Sequence, residues 1–95
     1  MTERTAYIDK TQARLKQIDA EITRLEARAE EAQADARIAG QQALEHARSK
    51  RETVKTRLDQ MQSSGEAAWS DIRSGLDAAW DELSSSVRKA ADRLH

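Results

Sequence analysis

One segment of the chain occurs twice. Ala67-Ala68-Trp69-Ser70-Asp71-Ile72 returns eleven residues later as Ala78-Ala79-Trp80-Asp81-Glu82-Leu83. The spacing persists beyond the copies: Ile72 recurs as Leu83 and Leu94, Leu76 as Val87, and Trp80 as Ala91. Eleven residues are three helical turns of about 3.67 residues each, so these side chains share one helix face. A helix with so heavy an apolar stripe must lie against another surface. The rest of the chain has to supply that surface.

The remaining composition permits little but helices. There is no Pro and no Cys, only three Gly, and 35% of the 95 residues are charged. Aromatic residues are 3% and Phe is absent. That is the profile of long helices in shallow contact, within one domain at most. Apolar burial must come from helix–helix seams, within or between chains. The net charge of −1 argues against a nucleic-acid partner, which would need a clustered basic face. Without Cys there is no disulfide framework and no thiolate chemistry. The first nine residues lack the apolar run of a signal peptide, and no stretch has the length of a membrane span. The expectation is a soluble cytoplasmic protein.

Ahead of the tryptophan repeat runs a second stripe: Ile8, Thr11, Leu15, Ile18, Ile22, Leu25, Ala29, Ala32, Ala36. Its alternating steps of three and four are those of a coiled-coil seam. It continues through Gly40, Ala43, Ala47, Arg51, Val54, Leu58 and Met61, with one four-residue stutter that relaxes a supercoil without ending a helix. Thr2 is a candidate N-cap. Ser63-Ser64-Gly65 is the turn signal: Gly65 can close a helix in a left-handed conformation, and Ser63 with Glu66 has capping-box spacing. The pattern predicts one all-α domain, residues 1–95, with a helix over about 3–62, a turn at 63–65 and a helix over about 66–94. A break at Gly40 would instead make a three-helix bundle.

Folded back at Ser64, the short arm lays Trp69 near Leu58, Trp80 near Ala47, Val87 near Gly40 and Leu94 near Ala36. Large side chains then meet small ones. The expected intrachain seam is Ala36, Ala43, Ala47 and Leu58 against Trp69, Ile72, Leu76, Trp80, Leu83 and Val87. The long arm, about 90 Å at 1.5 Å per residue, outruns the short one at about 45 Å. Ile8, Leu15, Ile18, Ile22 and Leu25 are left uncovered, and such a stripe marks an interface. A homodimer joined through the N-terminal arms follows, in a long antiparallel hairpin assembling into a helical bundle.

Chemical motifs are sparse. There is no phosphate loop, metal-ligand spacing or nucleophile motif, so neither catalytic residues nor a metal or other cofactor is expected. His46 has no convincing ligand one turn away, and His95 is terminal. Glu26, Glu30, Glu31 and Asp35 read as a solvated acidic face. Arg48, Lys50, Arg51, Lys55 and Arg57 form a basic run, with Arg48–Glu52 and Lys55–Asp59 spaced to pair. Residues 66–95 carry four basic and six acidic side chains, which argues against docking on anionic lipid.

In Ile18-Asp19-Ala20-Glu21-Ile22, in the Ala/Glu/Arg-rich run from Leu25 to Arg37, and in the paired Ala-Trp blocks, the chain resembles a family of small bacterial coiled-coil stress-response proteins. The resemblance implies a coiled coil over nearly the whole chain and no catalytic residues. The expected function is that of a non-enzymatic, self-associating coiled-coil protein, a scaffold or stress-linked interaction partner. The alternative is a peripheral lipid-surface protein using the helix over 66–95.

Overall fold

Each apolar stripe ends up inside one bundle. The structure, a computed structural model, describes residues 3–94 as three α-helices: α1 (Glu3–Glu31), α2 (Ala34–Ser63) and α3 (Trp69–Arg93). The all-α class is observed, in its three-helix form, with no strand among the described residues. The N-cap expected at Thr2 and the terminal His95 lie outside the described residues.

The helices run up, down and up. Arg48 reaches Glu26 and Arg51 reaches Asp19, so α1 and α2 are antiparallel. Tyr7 meets Asp77 and Arg14 lies on Trp80, so α1 and α3 are parallel. The molecule measures 50 × 19 × 16 Å. A 30-residue helix is about 45 Å long, so the bundle is one helix long. A continuous helix over 3–62 would be about twice that.

The chain reversal that shortens the expected long arm is at Ala32–Gln33, not at Gly40. Gln33 is extended, with φ −65° and ψ 160°, and its side chain makes no cap. Arg37 closes the corner instead: its guanidinium donates to the carbonyls of Glu30 (3.3 Å) and Ala32 (3.1 Å). These are carbonyls that a helix end leaves without partners. Asp35 sits in the first turn of α2, where the helix dipole favours negative charge. Gly40 is mid-helix and buried.

Residues Leu15, Ile22, Leu25 and Ala29 of α1 join Leu44, Ala47, Val54, Leu58 and Met61 of α2 in the core. From α3 come Leu76, Ala79, Trp80, Leu83, Val87 and Ala90. Thr11, the polar member of the α1 stripe, is buried and donates its hydroxyl to the Tyr7 carbonyl at 2.9 Å. That local bond removes the cost of burying it.

The second turn is wider than 63–65. Helix α2 ends at Ser63, and α3 starts at Trp69 after a turn in which Ala68 N–H donates to the Gly65 carbonyl. The Ser63–Glu66 capping box does not form: Ser63 donates back to the carbonyls of Asp59 and Gln60. No described residue has positive φ, so Gly65 is not a left-handed closure. The wider turn shifts the register. Lys50 pairs with Glu82, Arg57 lies beside Gly75, and Leu94 covers Gly40, which puts the mirror point near residue 66. Each α3 residue therefore sits about one turn further along α2 than a reversal at Ser64 would place it.

Candidate functional site

The seam that holds α1 to the α2–α3 hairpin is built differently from the hairpin itself. Helices α2 and α3 lie closest together, and α1 packs less closely against both. Along α1 the apolar strip is narrow and its edges are polar. The strip is Leu15, Ile22, Leu25 and Ala29, with Tyr7, Ile8 and Ile18 partly buried against it. These include all five residues expected at a subunit interface, Ile8, Leu15, Ile18, Ile22 and Leu25. Within this chain they are covered by the chain's own α2 and α3. The reversal at Ala32–Gln33 brings them there, so the stripe packs against the chain's own helices, with Ile8 and Ile18 only partly buried.

The polar edge is dense. On the α2 side, the Arg51 guanidinium grips both Asp19 carboxylate oxygens, Nε at 2.6 Å and Nη2 at 2.9 Å. Hydrogen bonding from Arg51 holds the Asp19 carboxyl below its ordinary value, and the same bonds hold Arg51 more firmly protonated. A two-pronged guanidinium–carboxylate pair fixes orientation as well as attraction. Arg48 reaches Glu26 at 3.0 Å, rather than the expected Glu52, whose carboxylate takes Arg51 Nη1.

On the α3 side the edge is aromatic. The Arg14 guanidinium lies 4.3 Å from the centre of the Trp80 ring, and Arg73 stacks on Tyr7 at 4.9 Å. Arg73 also lies near Trp69 and pairs with Glu3 at 3.9 Å. Cations over aromatic faces attract through the ring quadrupole. The Tyr7 hydroxyl donates to Asp77; burial, with that bond, pushes it up to about 12. At the α1 start, Arg4 donates to the Ser64 carbonyl at 2.6 Å. By contrast, the α2–α3 seam carries the single described ion pair Lys50–Glu82 at 2.9 Å.

The residues expected in the intrachain seam differ in burial. Ala47, Leu58, Leu76, Trp80, Leu83 and Val87 are buried, while Ala36, Ala43, Trp69 and Ile72 are half-buried. Trp80 is 8% exposed and faces α1 as well as α2, because Arg14 covers its ring. Leu44, Ala79 and Ala90 were not expected in the seam. Leu44 was legible: Gly40, Leu44, Ala47, Arg51, Val54, Leu58 and Met61 alternate four and three without a stutter. Ala79 and Ala90 are themselves eleven apart. The edge residues Tyr7, Arg14, Asp19 and Arg73 carried no such signal, since their partners are set by where the chain turns.

Among the described residues no three His, Asp or Glu side chains converge as a metal site, and no helix is long and apolar enough to cross a membrane. No protein-family model, curated protein or solved structure matches this chain at a significant level.

Proposed function

We propose that this chain is a non-enzymatic self-association module that dimerises by exchanging α1 between two copies. The observation that carries the reading is the anatomy of the α1 seam. A narrow apolar strip rimmed by charged pairs and cation–aromatic contacts is how separable protein surfaces meet. The tether to that seam is Ala32–Gln33, which contains no Gly and no Pro. Straightened, it makes α1 and α2 one helix. The α1 of each copy then docks on the partner's hairpin through the same contacts. Ile8, Leu15, Ile18, Ile22 and Leu25 become a subunit interface in that form. Exchange of an identical element costs little, because the contacts of the closed form are remade.

A second feature supports a second copy. Ile38 is 56% exposed, the large apolar side chain that stands out in solvent among the described residues. It lies one turn beyond the hinge. In the exchanged dimer the two hinges cross, and the surface around Ile38 faces the partner. The scaffold role follows from a rod with exchangeable ends, and a stress-linked role rests on the sequence resemblance alone. The lipid-surface alternative would require α3 to leave the bundle, since Trp80 is buried and Trp69 half-buried.

The hinge gives the test. Proline fixes φ near −65°, which is the angle Gln33 already has, and it disfavours helix in the residue before it. Gln33→Pro is therefore compatible with the closed turn and incompatible with a straight helix. Light scattering coupled to gel filtration should show wild type forming a dimer of twice 10.7 kDa as concentration rises, and Gln33→Pro remaining monomeric. A Gln33→Pro protein that dimerises like wild type would rule out exchange. A wild type that stays monomeric at millimolar concentration, even after refolding there, would end the self-association reading.

A further inference from the structure

Most basic side chains on the seams are occupied. Arg4, Arg48, Lys50, Arg51 and Arg73 each have a carboxylate partner. Arg14 lies on Trp80, and Arg37 caps the end of α1. Lys89 and Arg93 have no ion pair or ring contact among the described residues, and they converge on one place. An open cavity of about 280 Å³ lies between α2 and α3, lined by Gln42, Ala43 and His46 on one side and Ser86, Lys89 and Arg93 on the other. No carboxylate among the described residues lines it. Glu82, one turn before Ser86 on α3, is taken by Lys50 at 2.9 Å, and Asp92, beside Arg93 in the chain, is not among the lining residues.

Helical spacing produces this convergence. Gln42 and His46 are one turn apart on α2, and Ser86, Lys89 and Arg93 follow at steps of three and four on α3. Ala43 and Ser86 are small, which leaves the room. The four longer side chains bring an ammonium with three donors, a guanidinium fork, an amide and an imidazole. Donors thus line one groove from two helices, and none of its described lining residues is acidic. A guanidinium fork beside an ammonium fits two or more oxygens of one oxyanion. Arg93 is the last residue of α3, where the helix end is negative, while Gln42 and His46 lie more than a turn inside α2, so any attraction for an anion comes from side chains. Side chains set the sign of the field.

We propose that this groove binds a phosphate group, of the kind carried by a small phosphomonoester. Arg93 takes two phosphate oxygens through its fork. Lys89 supplies the second charge, and Gln42 and His46 donate from the opposite wall. The site lies wholly on the α2–α3 hairpin, which is the same in the closed and exchanged forms, so it stands or falls independently of dimerisation.

The test is a nitrogen-15 NMR titration of the full chain with inorganic phosphate and with phenyl phosphate, chloride holding the ionic strength constant. The expected result is saturable shifts confined to the Gln42 side-chain amide, His46 and residues 86–93. The double variant Lys89→Gln/Arg93→Gln should weaken binding at least tenfold, whereas Arg24→Gln, on the far side of the bundle, should leave it unchanged. Circular dichroism confirms that both remain helical. Linear shifts spread over all the surface cations, or a double variant that binds as tightly as wild type, would overturn the site. A parallel sedimentation with phosphatidylcholine vesicles containing phosphatidic acid separates the sources. Pelleting that the double variant loses puts the phosphate on a lipid headgroup; saturable binding of phenyl phosphate without pelleting puts it on a soluble ester.

Discussion

Two glycines that look alike in the sequence do different things in the fold. A Cβ at Gly40 would come within 2.3 Å of Leu94 Cδ2, so the absence of a side chain lets the end of α3 settle on α2. At Gly75 the nearest atom to a Cβ would be Nη1 of the exposed Arg57, at 3.0 Å, and a flexible guanidinium can move aside. Gly75→Ala should therefore raise stability by about 0.5–1 kcal/mol, the helix-propensity difference, read as a higher urea midpoint with unchanged slope. Tyr7 makes a pH-dependent contribution. Its hydroxyl is pushed up to about 12 by burial and by the bond to Asp77. A group with a raised folded value stabilises fully below its unfolded value, about 10 for tyrosine, and loses that contribution as pH rises through the folded one. The stability difference between wild type and Tyr7→Phe should hold constant to about pH 9 and shrink between about 10 and 12. A difference that does not change over that window would mean Tyr7 is not held in its neutral form by the fold.

At the scale of elements, the three helices differ in how they are held. Helix α3 buries a broad face, including both Ala79 and Trp80, and packs closely along α2. Helix α1 is attached by a narrower strip and its polar edge, so it is the element that opens first; local stability follows local packing. The Asp19–Arg51 pair tests that attachment. The side chains are 42% and 26% exposed, so solvent screening keeps its worth near 1 kcal/mol. Asp19→Asn should cost about that much at pH 7. A carboxyl with a lowered folded value stabilises above its unfolded value and loses the effect as pH falls through the folded one. The difference between wild type and Asp19→Asn should therefore fade below about pH 4. Denaturation curves at pH 7 and pH 3 would show it, and equal differences at both would contradict the electrostatic account. The inward faces of all three helices were legible from spacing alone, down to Thr11 as the polar member of the α1 stripe. The break between α1 and α2 was half-legible. The α1 stripe ending at Ala29 and the α2 stripe beginning at Gly40 are out of phase by one residue, a slip that a stutter in one helix or a reversal between two explains equally well.

For the whole molecule, the proposed exchanged dimer would share one set of contacts with the closed rod and differ from it at the hinge. Concentration and the surface around Ile38 would then decide between them. Ile38→Lys should change monomer stability by less than about 0.5 kcal/mol, because the side chain is exposed, yet weaken dimerisation. Gel filtration across a concentration series measures the second effect and thermal unfolding the first. A dimer unaffected by Ile38→Lys would place the hinge crossing away from this residue.

Period and composition determined that this chain is helical, which face of each helix is buried, and that the tryptophan repeat packs inward. These properties depend on residues within a few turns of each other. Tertiary structure decided where the chain reverses, and with that which residues meet: Arg51 with Asp19, Tyr7 with Asp77, Leu94 with Gly40. Ala32-Gln33-Ala34 can continue a helix or end one at small local cost. The outcome is set by apolar area on Leu15, Ile22 and Leu25, worth about 1.5–3 kcal/mol per fully buried side chain. That area can be covered only by residues far along the chain, and no local pattern records it.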